Sequence, residues 1–134
     1  MVYQCPICKD DPTSHSLRKM RETHDCVYFY TCPAQASKYN DIEGIINHYR
    51  GVLSEIPHDK NWIWIFDASG FSMKHAMEFT LARRMATLIT DEFGDSLRKI
   101  YVVRPTKFIS ITINIVYPFL SERIQNMIEI RYNS

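Results

Sequence analysis

Asn61-Trp62-Ile63-Trp64-Ile65-Phe66-Asp67-Ala68-Ser69-Gly70-Phe71 is the stretch on which the reading of the chain turns. Trp62 to Phe66 are consecutive large apolar residues, β-branched or aromatic throughout and too few for a helix. Such a run reads as a strand buried on both faces, the kind found inside a parallel sheet. It stops abruptly at Asp67-Ala68-Ser69-Gly70. Ligands of open α/β sheets sit beyond the carboxyl ends of the strands, so Asp67 to Phe71 and whatever packs over them are the first place to look for function.

Working outward, the residues before the strand describe a helix. Asn40 and Glu43 are placed as a capping box, and Ile42, Ile45, Ile46, Tyr49, Val52, Leu53 and Ile56 form one apolar face that Pro57 ends. After the strand, Ser72 caps a long helix over Met73–Phe93 with Met73, Met77, Leu81, Met85, Leu88 and Ile89 as its stripe and Gly94 after it. Lys99–Arg104 reads as another strand closed by Pro105. Phe108–Tyr117 reads as a helix that is apolar almost all round, broken by Pro118. Ser121–Asn126 is a helical turn and Met127–Tyr132 a last strand. Upstream, Cys26–Thr31 is the first strand, rich in β-formers. The order β-α-β-α-β-α-β predicts an α/β domain with a mainly parallel sheet and flanking helices, expected on both faces. Residues 1–25 show no sustained period and read as an irregular extension with a helical turn near Ser16–Arg21. The expected division is this extension over 1–25 and a domain over 26–134.

Composition excludes several classes. The chain has 134 residues, 46% of them apolar, which supports one domain with a real core. A net charge of +1 gives no footprint for nucleic acid. The N-terminus lacks the apolar core of a signal peptide, and no run reaches membrane-spanning length. The expectation is a soluble cytoplasmic protein.

All four cysteines, Cys5, Cys8, Cys26 and Cys32, lie in the first 32 residues. In a reducing compartment that bias favours metal over disulfide. Cys5-Pro6-Ile7-Cys8 offers two thiolates from one tight loop to a tetrahedral zinc. Cys32, at a strand end, and His15, in the irregular segment, are the preferred partners; His24 and Cys26 are the local alternative. A closed four-ligand site is structural, without zinc chemistry. Asp67 and Ser69 at a strand end suggest catalysis only weakly, because no neighbouring histidine completes a nucleophile system. A turn with capping is the better account, and no enzyme activity is expected.

Trp64-Ile65-Phe66-Asp67-Ala68-Ser69-Gly70-Phe71, then a long helix, then Leu97–Pro105, then Ile115-Val116-Tyr117-Pro118-Phe119-Leu120-Ser121-Glu122 resemble the CRAL-TRIO domain of lipid-binding proteins over roughly residues 27–132. Arg104 stands directly before Pro105 where that pattern has Asn-x-Pro. The chain resembles a minimal version of the domain. The resemblance implies non-enzymatic binding of a lipid or other small hydrophobic ligand, with residues 108–120 as the wall over the cavity. Phe71, Phe108, Ile111, Ile115 and Phe119 are the wall residues it points to. It also implies a rival role, since some short forms act in protein–protein interaction. Arg98, Lys99, Arg104 and Lys107 would then meet a lipid headgroup or make peripheral membrane contact, unless they are simply solvated strand and loop ends.

Overall fold

The computed structural model describes residues 4–11 and 14–132. Among these, α1 (Pro6–Asp10) precedes β1 (Arg18–Glu22) and β2 (Cys26–Thr31); α2 (Ile42–Leu53) leads to β3 (Asn61–Asp67). Then come α3 (Met73–Ala76), α4 (Phe79–Leu88), β4 (Leu97–Val103), α5 (Ile109–Val116), α6 (Glu122–Met127) and β5 (Ile128–Arg131). The strands form one sheet in the order β1-β2-β3-β4-β5. β1 and β2 are antiparallel, and every other pairing is parallel.

That order determines where the helices lie. From β2 to β5 each strand is added on the same side of its predecessor. Right-handed crossovers then put all the connections on one face; helices reach both faces only when the strand order reverses. The expected two-sided arrangement is therefore not formed. One face, with Val27, Phe29, Trp62, Trp64, Ile100 and Val102, joins a single core with Ile45, Ile46, Tyr49 and Leu53 of α2, Leu81 and Leu88 of α4, Ile109 of α5 and Ile124 of α6. The opposite face is half-buried, and its tyrosines carry cations: Arg18 lies 4.7 Å from the Tyr30 ring, Arg21 4.5 Å from Tyr28 and Arg131 4.4 Å from Tyr101.

Local differences from the expectation have physical reasons. β1 stands where a helical turn was expected. All its residues are exposed, and four of them are charged, so it carries no apolar period to read; a short charged strand suits a sheet edge. Asp41, one residue after Asn40, caps α2 by accepting from the Gly44 N–H at 3.2 Å. The helix expected over Met73–Phe93 is interrupted at Met77–Glu78. Its stripe fails there, leaving Met73 and Met77 exposed while Leu81, Leu88 and Ile89 are buried. α4 runs into a π-helical turn over Ile89–Phe93, whose Phe93 carbonyl accepts from Trp62 Nε1 at 2.9 Å. Ser121 caps α6 as expected, accepting from the Ile124 N–H at 3.3 Å.

The end of β3 is held by a buried carboxylate. Asp67 accepts from Tyr30 Oη at 2.6 Å, from the Ser69 N–H at 2.9 Å and from Arg104 Nε at 3.1 Å, with a second bond from the Arg104 guanidinium. Burial pushes the Asp67 carboxyl up, but the bonds from Arg104, Tyr30 and Ser69 outweigh it and hold it below its ordinary value. Burial and the Asp67 hydrogen bond together push the Tyr30 phenol up to about 12. Arg104 makes this contact from a left-handed backbone, φ 48°, directly before Pro105, a conformation that costs a non-glycine residue energy. Gly70, at φ 75°, makes the turn that follows the strand.

A lowered folded-state carboxyl contributes stability above the ordinary aspartate range, about pH 4, and loses it as pH falls below. Wild type is therefore expected to lose urea resistance between pH 6 and pH 3 more steeply than Asp67→Asn, an outcome that parallel pH slopes would contradict. Arg104→Gly, which relieves the backbone while losing the pair, is expected to unfold at higher urea than Arg104→Ala.

Candidate functional site

Two features stand over the sheet's buried face, and they meet at His15. The first is a cavity of about 140 Å³ between the sheet and helices α2, α4 and α5. Its floor is Trp64 and Phe66 of β3 with Ile100 and Val102 of β4. Its sides are Ile45 and Tyr49 of α2, Leu81, Met85 and Ala86 of α4, and Ile109, Thr112, Ile113 and Val116 of α5. Phe71 closes the end where β3 turns. Among the described residues, no Asp, Glu, Lys or Arg lines it. Its polar edge is a row of hydroxyls: Ser16 Oγ lies 2.7 Å from Thr31 Oγ1, which lies 2.9 Å from Tyr49 Oη.

Of the five wall residues expected, Phe71 lines the cavity, and Phe108, Ile111, Ile115 and Phe119 do not. α5 is the wall, but it presents Ile109, Thr112, Ile113 and Val116, which recur at helical spacing on the opposite face from Ile111 and Ile115. Ile111 is exposed. Phe108 packs at the core margin under Lys107, and Phe119 lies exposed beneath the Arg83 guanidinium. The basic residues are engaged locally: Arg104 with Asp67, Lys99 with Glu129 at 3.2 Å, and Arg98 with the Asp95 carbonyl at 3.0 Å.

The second feature is a cluster of metal-ligand atoms. Cys5, Cys8, His15 and His48 bring their ligand atoms within 4.8 Å of one another. Cys5 Sγ lies 3.6 Å and Cys8 Sγ 3.5 Å from His15 Nδ1, and Cys8 Sγ lies 3.7 Å from His48 Nδ1. Ordinary zinc–sulfur and zinc–nitrogen bond lengths at a tetrahedral angle separate S from N by about 3.6 Å, so the spacing fits a metal. Both imidazoles turn Nδ1 inward and Nε2 outward. His48 Nε2 meets the Leu17 carbonyl at 2.8 Å. His15 Nε2 faces the Asp41 carboxylate at 3.7 Å, too long for a direct bond. An outer partner such as the Leu17 carbonyl fixes the ring orientation of a metal ligand. Burial lowers both imidazoles, with His48 adding to the effect on His15, and burial raises the Cys8 thiol. Neutral imidazoles are the form that binds metal.

The knuckle is seated on α2. Gly44 lies under Asp41 and Ile7 so closely that a Cβ there would clash with both. Cys32 is not part of the cluster; buried in the turn after β2, it points to the Ser69 carbonyl at 3.6 Å. His24 and Cys26 do not join it either. The fourth residue is His48, on the buried side of α2 three positions after Ile45. A histidine within an apolar stripe was the signal available for it.

The Ser–His pair found near Asp67 is a cap. His75 Nδ1 lies 2.9 Å from Ser72 Oγ and also accepts from the Ser72 N–H at 3.0 Å, so it closes the first turn of α3 and does not engage Ser69. Among the described residues, no helix is long and apolar enough to cross a membrane.

No curated protein matches the chain. Among solved structures, the crystal structure of Sfh5 shares the fold with a TM-score of 0.71 at 11% identity. The match covers 92% of this chain and 50% of that one, so the chain spans about half the length of Sfh5. The sequence pattern of the CRAL/TRIO domain matches residues 12–134, which includes every strand of the sheet and the whole cavity lining. The chain belongs to the CRAL/TRIO domain family.

Proposed function

We propose that the protein binds a small hydrophobic molecule, or one short segment of a lipid, in the cavity under α5, and that it performs no chemistry on it. The observation that carries this reading is the lining, predominantly apolar and, among the described residues, without Asp, Glu, Lys or Arg. An apolar cavity of about 150 Å³ stays dry and takes up a benzene-sized guest, which matches the 140 Å³ here. The driving force is burial of apolar surface, about 0.8 kcal/mol per CH₂.

Benzene at millimolar concentration is expected to raise the melting temperature of wild type, since a ligand that binds only the folded state stabilises it. Ala86→Leu extends into the cavity and is expected to abolish the shift. Ile111→Trp, on the outer face of α5, is expected to keep it. An equal shift in Ala86→Leu would place the binding elsewhere.

We also propose that Cys5, Cys8, His15 and His48 hold one structural zinc. The support is the tetrahedral S–N spacing, the Leu17 carbonyl bonded to His48 Nε2, and the Asp41 carboxylate that faces His15 Nε2. The ion would tie α1 and the His15 segment to α2, so its binding free energy would add to folding. Elemental analysis of the purified protein is expected to find zinc in wild type and Cys32→Ser and to find none in Cys5→Ser or His48→Ala. Asp41→Asn keeps a helix cap but removes the carboxylate behind His15, and is expected to weaken zinc about tenfold. Loss of metal in Cys32→Ser with retention in His48→Ala would overturn the assignment.

A further inference from the structure

Two tryptophans stand on the same face of β3, and their indole N–H groups have opposite fates. Trp62 Nε1 donates to the Phe93 carbonyl at 2.9 Å. Trp64 Nε1 is buried with no partner among the described residues, and Trp64 lines the cavity. An indole N–H only donates, and a buried donor without an acceptor is a costly exception that needs an explanation. Among the described residues Thr112 Oγ1, on the facing helix, is buried without a partner too, and Thr112 also lines the cavity.

The hydroxyl row at the polar edge holds one more proton than its internal contacts use. Ser16, Thr31 and Tyr49 bring three hydroxyl protons to two hydroxyl–hydroxyl contacts. Ser16 Oγ also accepts from the Cys32 N–H at 3.2 Å. One proton is left over: when the row runs from Ser16 to Tyr49 it falls on the Tyr49 hydroxyl, and in the reverse orientation on the half-buried Ser16. The Tyr49 ring lies 6.0 Å from that of Trp64, edge to face, so the Tyr49 end of the row is the one beside Trp64.

From this we infer that the cavity's ligand carries a neutral acceptor oxygen, a carbonyl or ether, read chiefly by the Trp64 indole N–H. The inference rests on the ligand-binding reading above and specifies its chemistry. The Trp64 indole can only donate, and the Thr112 hydroxyl can donate as well as accept, so a pure hydrocarbon leaves both unpaired and an acceptor oxygen can satisfy either. A carboxylate or phosphate is disfavoured because no cation lines the cavity, and a buried anion needs one.

The test uses three molecules of one shape: acetophenone, with the acceptor; α-methylstyrene, with a methylene in its place; and benzoate, with an anion. In wild type, acetophenone is expected to bind about five- to tenfold more tightly than α-methylstyrene, the range of one net hydrogen bond, and benzoate not at all. In Trp64→Phe the ratio is expected to fall towards one. Because it is a ratio, the extra space left by the smaller ring cancels. Should Trp64→Phe fail to fold, wild type still decides by NMR. Acetophenone is expected to move the Trp64 indole proton downfield and leave that of Trp62 in place, while α-methylstyrene moves neither downfield. Equal binding of acetophenone and α-methylstyrene, or benzoate binding as tightly as either, would overturn the inference while leaving an apolar site standing. Binding of none of the three, with no benzene shift either, would overturn the ligand-binding reading together with it.

Discussion

The handedness of the strand crossovers is the constraint on which the rest of the structure depends. With β2 to β5 laid down in sequence order, right-handed connections stack α2, α4 and α5 over one face. That face has to supply the whole core, and its largest members, Trp62, Trp64 and Phe29, are buried there. Rings of this size leave irregular space beneath helices that carry Ala82, Ala86 and Thr112, and the cavity is that space. The other face is left to tyrosines beneath arginines.

The Cys–His cluster and the cavity are two sides of one wall. α2 gives His48 to the cluster and, one residue later, Tyr49 to the cavity. His15 belongs to both, and the adjacent Ser16 begins the hydroxyl row. Leu17 enters the core while its carbonyl holds His48. A bound ion would therefore set the position of the segment that supplies the cavity's polar edge. Asp41 serves both ends of this arrangement, capping α2 through one carboxylate oxygen and facing His15 with the other.

Elements with a strong apolar period were legible in the sequence. The strands at Cys26 and Asn61, the α2 face and the Ser121 cap stand where propensity and capping place them. β1 was not legible, because a charged edge strand carries no pattern until its partner is known. The interruption at Met77–Glu78 was not legible either, because both residues are good helix formers. In α5 the wall was legible and its facing was not. A helix apolar all round has no period that tells its inner side from its outer, so Ile111 and Ile115 were as plausible as Ile109 and Ile113. The Cys5–Cys8 knuckle and His15 were readable from residue type and spacing. Cys32 was attractive as a strand-end ligand, but its side chain turns to the Ser69 carbonyl. His48 needed the packing of α1 on Gly44 to come within reach.

The central claim is that the single helical layer encloses apolar space that a guest can enter. A crystal structure under xenon pressure tests it most directly, because xenon enters dry apolar cavities and needs no chemical recognition. The account predicts one xenon atom in contact with Trp64, Ala86 and Ile113. Ordered waters filling that position, or side chains of α5 closed down upon Trp64 with no xenon between them, would contradict it.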